Sequence, residues 1–432
     1  MGRRRVLLPA FGALVLLAGA GGLATWLTRA PAASHGSAQS AGVELVPAAQ
    51  QADGRLLGVS AVSANSAWAV GVSCELCGIS AQLGRALIMH WDGTTWSRVR
   101  SPSPGGSAYL GAVSSGPGGR AWAVGDYCPS DCSGSITGLR TLILRWNGTA
   151  WSRVPSPSPG PRSGFAYLAA VSSGPGDTAW AVGDYCASGC GTSSGDEVPL
   201  ILRWDGTAWS QVASPGPGGD GGLNAVSPGP AGTAWAAGWY CPSRCGEPAP
   251  AGERTLILHW NGTAWSPAAS PRPGGAEVLG GVARGPSGTA WATGFYCSSG
   301  CGTSSEYDRT LTLRWDGTAW SQVPSRSPGA GGFLIGASQG PAGSAYAAGY
   351  YCICRASSER DLGLILRWDG TAWSQIISPD PGGPAQLFAV SSDPAGSTWA
   401  AGYYCTSGCG TKVETDQTLL LGVPARLIGT SG

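Results

Sequence analysis

Residues 168–212 read LAAVSSGPGDTAWAVGDYCASGCGTSSGDEVPLILRWDGTAWSQV. Four apolar alternations are separated here by turn residues. Leu168–Val171 predicts a short strand A, and Ala179–Cys186 predicts strand B after a Gly-Pro turn. Leu200–Trp204 predicts strand C and Thr207–Val212 predicts strand D. The C–D link, Asp205-Gly206, sits between alternating apolar residues. That reading expects a two-residue type I′ hairpin with φ > 0 at both residues. Gly or Pro interrupts nearly every longer stretch, so no helix is expected.

The pattern recurs about every 55 residues, which is the signature of a repeat architecture. Its first aromatic anchor stands at Trp68, Trp122, Trp180, Trp235, Trp291, Tyr346 and Trp399, seven times. The Trp-Asp/Asn-Gly-Thr-x-Trp segment begins at Trp91, Trp146, Trp204, Trp260, Trp315 and Trp368, six times. Seven repeats of four strands predict an all-β, seven-bladed β-propeller with four antiparallel strands per blade. The missing seventh segment bears on closure. The chain ends in a strand C, Thr418–Pro424, with no strand D, whereas Val43-Glu44-Leu45-Val46-Pro47 resembles the end of one, Val154-Pro155. Residues 43–47 are therefore expected to complete the last blade and close the ring.

Composition agrees. Of 432 residues 71 are Gly and 32 Pro, yet there are 20 Trp, 18 of them in the two repeated motifs, so a disordered polymer is excluded. The net charge of +1 offers no field for nucleic acid, and no nucleic-acid partner is expected. Arg3-Arg4-Arg5 followed by the apolar run Val6–Leu27 and by Ala30-Pro31-Ala32 marks residues 1–32 as a signal peptide or a retained membrane anchor. Residues 33–41 read as a flexible tether, 42–424 as the propeller and 425–432 as a tail. The body is expected outside the cytoplasm, secreted or anchored through the N-terminal segment alone, and monomeric.

With A innermost, the A–B and C–D links share one face of the disc and the B–C and D–A links share the other. The B–C links carry the cysteines and vary in length, which makes their face the candidate binding surface. The 14 cysteines fall one pair per repeat: Cys74/Cys77, Cys128/Cys132, Cys186/Cys190, Cys241/Cys245, Cys297/Cys301, Cys352/Cys354 and Cys405/Cys409. In an exported chain this pattern predicts disulfides. Blades hold neighbouring loops too far apart for zinc, so no metal or other cofactor is expected.

Tyr127, Tyr185, Tyr240, Tyr296, Tyr351 and Tyr404 precede the first cysteines and are the ligand-binding candidates, as aromatic platforms for a sugar or a partner. The competing reading is packing between blades, with at most one of each adjacent aromatic pair in the core. The ring His90, Arg145, Arg203, His259, Arg314 and Arg367 is expected to lay its stems along tryptophans. Asp126 and Asp184 occupy equivalent places in adjacent repeats and read as solvated loop residues, with a carboxylate pair as the alternative. No nucleophile elbow, zinc helix or phosphate loop occurs, and no catalytic residue is assigned.

The repeated Leu-x-Ala-Val-Ser…Ala-Trp-Ala-Val-Gly…Leu-Ile-Leu-Arg-Trp-Asp-Gly-Thr-Ala-Trp resembles exported actinobacterial propellers. More distantly it is similar to photosystem II stability factors and to Asp-box propellers of the sialidase type. The resemblance covers residues 42–424 and implies the fold. It carries no sialidase activity, since Ser391–Trp399 is one residue longer than an Asp-box and neither the arginine trio nor the nucleophilic tyrosine can be placed. The expectation is a non-catalytic binding or scaffold propeller that meets a protein or glycan at the cell surface. A lectin, or a glycosidase or lyase with acids converging on the central channel, is the alternative.

Overall fold

A computed structural model describes residues 44–45, 53–74, 84–130, 137–190, 196–216, 218–242, 252–299, 301, 307–355, 358–411 and 414–423. The N-terminal segment, the tether and the C-terminal tail lie outside the described residues.

In each Trp-Asp-Gly-Thr-x-Trp segment the two tryptophans pair across neighbouring strands, as Trp91 does with Trp96 and Trp204 with Trp209. Four residues therefore form the loop, not two, which corrects the expected type I′ turn. Gly206 alone adopts a positive φ, 103°, while Asp205 does not. The Asp205 Oδ1 accepts from the Thr207 N–H at 2.7 Å, the Thr207 hydroxyl at 2.7 Å and the Ala208 N–H at 2.9 Å. Asn147 and Asn261 do the same through their Oδ1, which is why Asp and Asn interchange here.

The strands form seven separate four-stranded antiparallel sheets. The N-terminal strand is β1 (Glu44–Leu45). Blade 1 contains β2 (Gly54–Ser63), β3 (Ser66–Ser73), β4 (Arg85–Trp91) and β5 (Trp96–Val99). Blade 2 contains β6 (Ser107–Ser115), β7 (Ala121–Cys128), β8 (Arg140–Trp146) and β9 (Trp151–Val154). Blade 3 contains β10 (Ala166–Ser173), β11 (Ala179–Ser188), β12 (Asp196–Trp204) and β13 (Trp209–Val212). Blade 4 contains β14 (Gly221–Pro228), β15 (Ala234–Tyr240), β16 (Arg254–Trp260) and β17 (Trp265–Pro267). Blade 5 contains β18 (Glu277–Arg284), β19 (Ala290–Cys297), β20 (Asp308–Trp315) and β21 (Trp320–Gln322). Blade 6 contains β22 (Gly331–Gln339), β23 (Ala345–Arg355), β24 (Ser358–Trp368) and β25 (Trp373–Ile376). Blade 7 contains β26 (Ala385–Ser392), β27 (Thr398–Ser407) and β28 (Thr415–Val423). Its outer strand is β1, with Glu44 opposite Gly422 and Leu45 opposite Leu421, so the ring closes as the missing segment foretold.

The core lies between blades. Trp122 of blade 2 packs on Trp204 and Trp209 of blade 3, at 4.9 and 5.1 Å between ring centroids. The same triad joins blades 1–2, 3–4, 4–5, 5–6 and 7–1. Each buried indole removes roughly 150–250 Å² from water, about 4–6 kcal/mol before conformational entropy is counted. The seam between blades 6 and 7 differs, because blade 7 has no such segment. There Tyr346 packs with Ile376, Leu421 and Val423. The basic ring behaves as its spacing suggests: the Arg145 guanidinium lies 4.9 Å from the Trp122 ring and 5.1 Å from that of Trp204.

Every inner strand carries a β-bulge in the same register. The bulged residues, Leu57, Gly111, Ala169, Asn224, Gly280, Ile335 and Phe388, face a central cavity of about 170 Å³. Asn224 is the one polar side chain in its lining, and no carboxylate lines it.

Candidate functional site

Strand order places the B–C and D–A links on one face, around the far ends of the second strands. Cys186–Cys190, Cys297–Cys301 and Cys405–Cys409 are disulfides that brace B–C links there. Cys74, Cys128, Cys241 and Cys352 are disulfide-bonded too. Cys77, Cys132, Cys245 and the Cys354 side chain, assigned as their partners, lie outside the described residues. Bonds of this kind persist in an oxidising compartment. Among the described residues no group of three or more His, Cys, Asp or Glu could hold a metal ion.

The candidate tyrosines are half-buried, each against a core shared by two blades: Tyr127, Tyr185, Tyr240, Tyr296, Tyr351 and Tyr404. Tyr127 also lies under the Arg153 guanidinium at 4.3 Å, and Arg153 donates to its hydroxyl at 2.6 Å. The preceding residues are packed as well: Phe295 and Tyr350 are buried around Phe333, at 4.9 and 5.0 Å. In each pair at most one residue is fully buried, and the tyrosine beside it packs half-buried against a core shared with the next blade.

The D–A links are less free than their variability suggests. Their serines fold back on strand C: the Ser158 hydroxyl accepts from the Thr141 N–H at 3.3 Å, and Ser327 accepts likewise from Thr310.

Asp126 and Asp184 overturn their reading as solvated loop residues. They lie within β7 and β11, paired with Tyr109 and Tyr167 of the inner strands, and each is 1% exposed. Burial pushes the Asp126 carboxyl well above the usual range. Asp184 is pushed up by burial and then by neighbouring Glu197, with a hydrogen bond from the Tyr167 hydroxyl opposing both. One oxygen of each carboxyl, Asp126 Oδ1 and Asp184 Oδ2, is buried without a partner.

Sequence reading also missed a ring of acids on the third strands. The residue opposite the first cysteine is Glu197 in blade 3, Asp308 in blade 5, Asp361 in blade 6 and Asp416 in blade 7. Aligning the repeats on Leu-Ile-Leu-Arg-Trp would have exposed it. Burial and then Asp220 and Glu253 push Glu197 up to about 7. Asp308 reaches about 7 through burial, against the pull of Arg309. Asp416 rises to about 6, again through burial, although Arg55 opposes the shift.

Tyr307 and Ile353, 40% and 39% exposed, stand at the B–C ends of blades 5 and 6, and Ile377, 73% exposed, follows the outer strand of blade 6, next to Ile376, which pairs with Ile365. Val62, near the A–B end of β2 in blade 1, is the other such residue among those described.

No family model and no curated protein matches the chain. Solved structures are similar to it in part. A fungal alcohol oxidase of the AA5 family, in complex with copper, is 11% identical, covering 89% of this chain and 76% of that one with a TM-score of 0.50. YCF48 bound to a D1 peptide is 15% identical over 90% of this chain and 96% of that one, TM-score 0.47. A polysaccharide lyase, a PL25 ulvan lyase, is 12% identical over 71% and 82%, TM-score 0.40. The class defined is the seven-bladed β-propeller, a fold shared by binders and enzymes. Likeness at these identities is likeness of fold, and no chemistry passes from these proteins to this one.

Proposed function

We propose that this chain is a non-catalytic scaffold on the outer side of the cell membrane, binding a protein partner through its disulfide-loop face. Residues 1–32 would export it and either be removed or remain as an anchor. The observation that carries the reading is the exposure of Tyr307 and Ile353 at the B–C ends of two adjacent blades on that face. Monomers seldom leave such residues together without an interaction to cover them. The half-buried tyrosines and the small, acid-free central cavity support a scaffold over a lectin or a glycosidase.

The test is capture of envelope proteins on the immobilised chain. A Tyr307→Ser/Ile353→Ser variant is compared with Val62→Ser on the opposite face. A partner lost only with the double variant supports the reading. Capture unchanged in both, or binding to a glycan panel that survives protease treatment of the extract, overturns it.

A further inference from the structure

The seven repeats provide an internal comparison, because equivalent seams can be superposed by register. In two seams the third-strand residue opposite the first cysteine is bonded to the next blade's inner strand. Where blade 7 meets blade 1, that residue is Asp416 and the inner strand offers Arg55, which pairs with Val72 of β3. Arg55 donates to Asp416 at 2.5 Å and to Glu414 at 2.8 Å, and its guanidinium lies 4.5 Å over the Tyr403 ring. Where blade 6 meets blade 7, the acid is Asp361 and the inner strand offers Gln386, whose amide donates to it at 2.6 Å.

Where blade 3 meets blade 4, the acid is Glu197 and the inner strand offers Gly222, which pairs with Trp239 as Gln386 pairs with Tyr403. The donor is missing. Of the three blade 7 residues that Arg55 touches, Asp416 and Tyr403 correspond in register to Glu197 and Asp184. This seam therefore holds a second carboxylate where the other holds a phenol. Asp184 and Trp239 stand against the Gly222 backbone: a Cβ there would lie 2.9 Å from the Asp184 Oδ1 and 3.2 Å from the Trp239 Nε1. Its Oδ2 is buried and unpartnered, and no cation among the described residues pairs with it or with Glu197. A buried acid without its donor pays the desolvation of that oxygen in full.

We infer that this seam receives a guanidinium or ammonium group from a bound polypeptide, held by Glu197 and Asp184 as Arg55 is held by Asp416. The ligand class follows from the chemistry the same fold uses one seam away. The inference rests on the scaffold reading above and names the kind of side chain the partner must present.

The experiment titrates the full chain with a fluorescent Gly-Ser peptide bearing one central arginine, alongside its lysine and norleucine counterparts and calcium chloride alone. Arginine and lysine peptides are expected to bind and the norleucine peptide not. Glu197→Gln, which is nearly isosteric and keeps the fold, is expected to weaken binding about tenfold or more, as loss of a charge-assisted hydrogen bond would. Asp184→Asn, which keeps the shape of the second carboxyl, is expected to weaken it likewise. Equal binding of the norleucine peptide, or unchanged affinity in Glu197→Gln, overturns the inference, as does calcium displacing the arginine peptide through the same two carboxylates. Repeating the envelope capture with Glu197→Gln separates the two proposals. A partner retained there but lost in the double variant leaves the scaffold reading standing without this site.

Discussion

The two ends of the second strands contrast sharply. At one end stands an aromatic anchor in every blade, tryptophan in six of the seven, wedged in six seams between two tryptophans of the next blade. At the other, four residues further along, the same register holds Val72, Asp126, Asp184, Trp239, Phe295, Tyr350 and Tyr403. The first layer repeats in six of the seven seams, where the same wedge sets the angle between blades. The second does not repeat, so its side chains answer to something other than ring geometry. Stability concentrated in one layer lets the other tolerate carboxyl groups buried without partners, a combination that an isolated sheet would not survive.

The contrast can be broken on one strand. Trp180→Ala, which removes the wedge against Trp260 and Trp265, is expected to lower stability by about 3–5 kcal/mol in urea unfolding. Asp184→Asn, at the far end of the same strand, is expected to stay within about 1 kcal/mol of the parent. Comparable losses in the two variants would show that both layers bear the fold.

The carboxyl layer should also give the protein an unusual pH dependence. Asp126 and Asp184 are raised by burial, and Glu197 and Asp308 are each held at about 7 in the folded chain. Unfolded, such groups titrate near about 4, so the unfolded state releases its protons first. Stability is then fully present below about pH 4 and is lost as pH rises through about 7. The thermal midpoint is expected to fall between pH 5 and pH 8, and Glu197→Gln with Asp308→Asn to flatten that slope. A midpoint that rises over this interval would contradict the buried, proton-bearing layer.

The smallest effect belongs to the Trp side. Asp205→Asn is expected to leave the unfolding midpoint unchanged, since Asn147 and Asn261 already serve in that loop. Asp205→Ala, lacking the acceptor for Thr207 and Ala208, should lower it slightly. A loss with Asn equal to that with Ala would mean that the charge, not the acceptor, matters.

Repeat counting made the ring and its closure legible, since Trp-Asp-Gly-Thr-x-Trp six times against seven anchors leaves one strand to be found. The loop type was misread because Asp-Gly is a hairpin signal at two residues and also fits a four-residue loop; the spacing of the tryptophans was the better guide. The buried acids were hidden for a different reason. Gly-Asp-Tyr-Cys looks like the start of a loop, and only packing of blade against blade turns Asp184 inward. The absent donor at Gly222 has no local signature at all. It becomes visible once Arg55 and Gln386 are seen at the same place in other seams.

Closure through β1 has one more consequence. The strand that completes blade 7 pairs with β28, the last described strand, whatever number of repeats lies between them. A gene that gained or lost one whole repeat would still bring its two ends into register. The clasp therefore does not count blades. That number is set locally, by how far each tryptophan wedge opens one blade from the next, and a family built this way could change ring size by duplication without redesigning its ends.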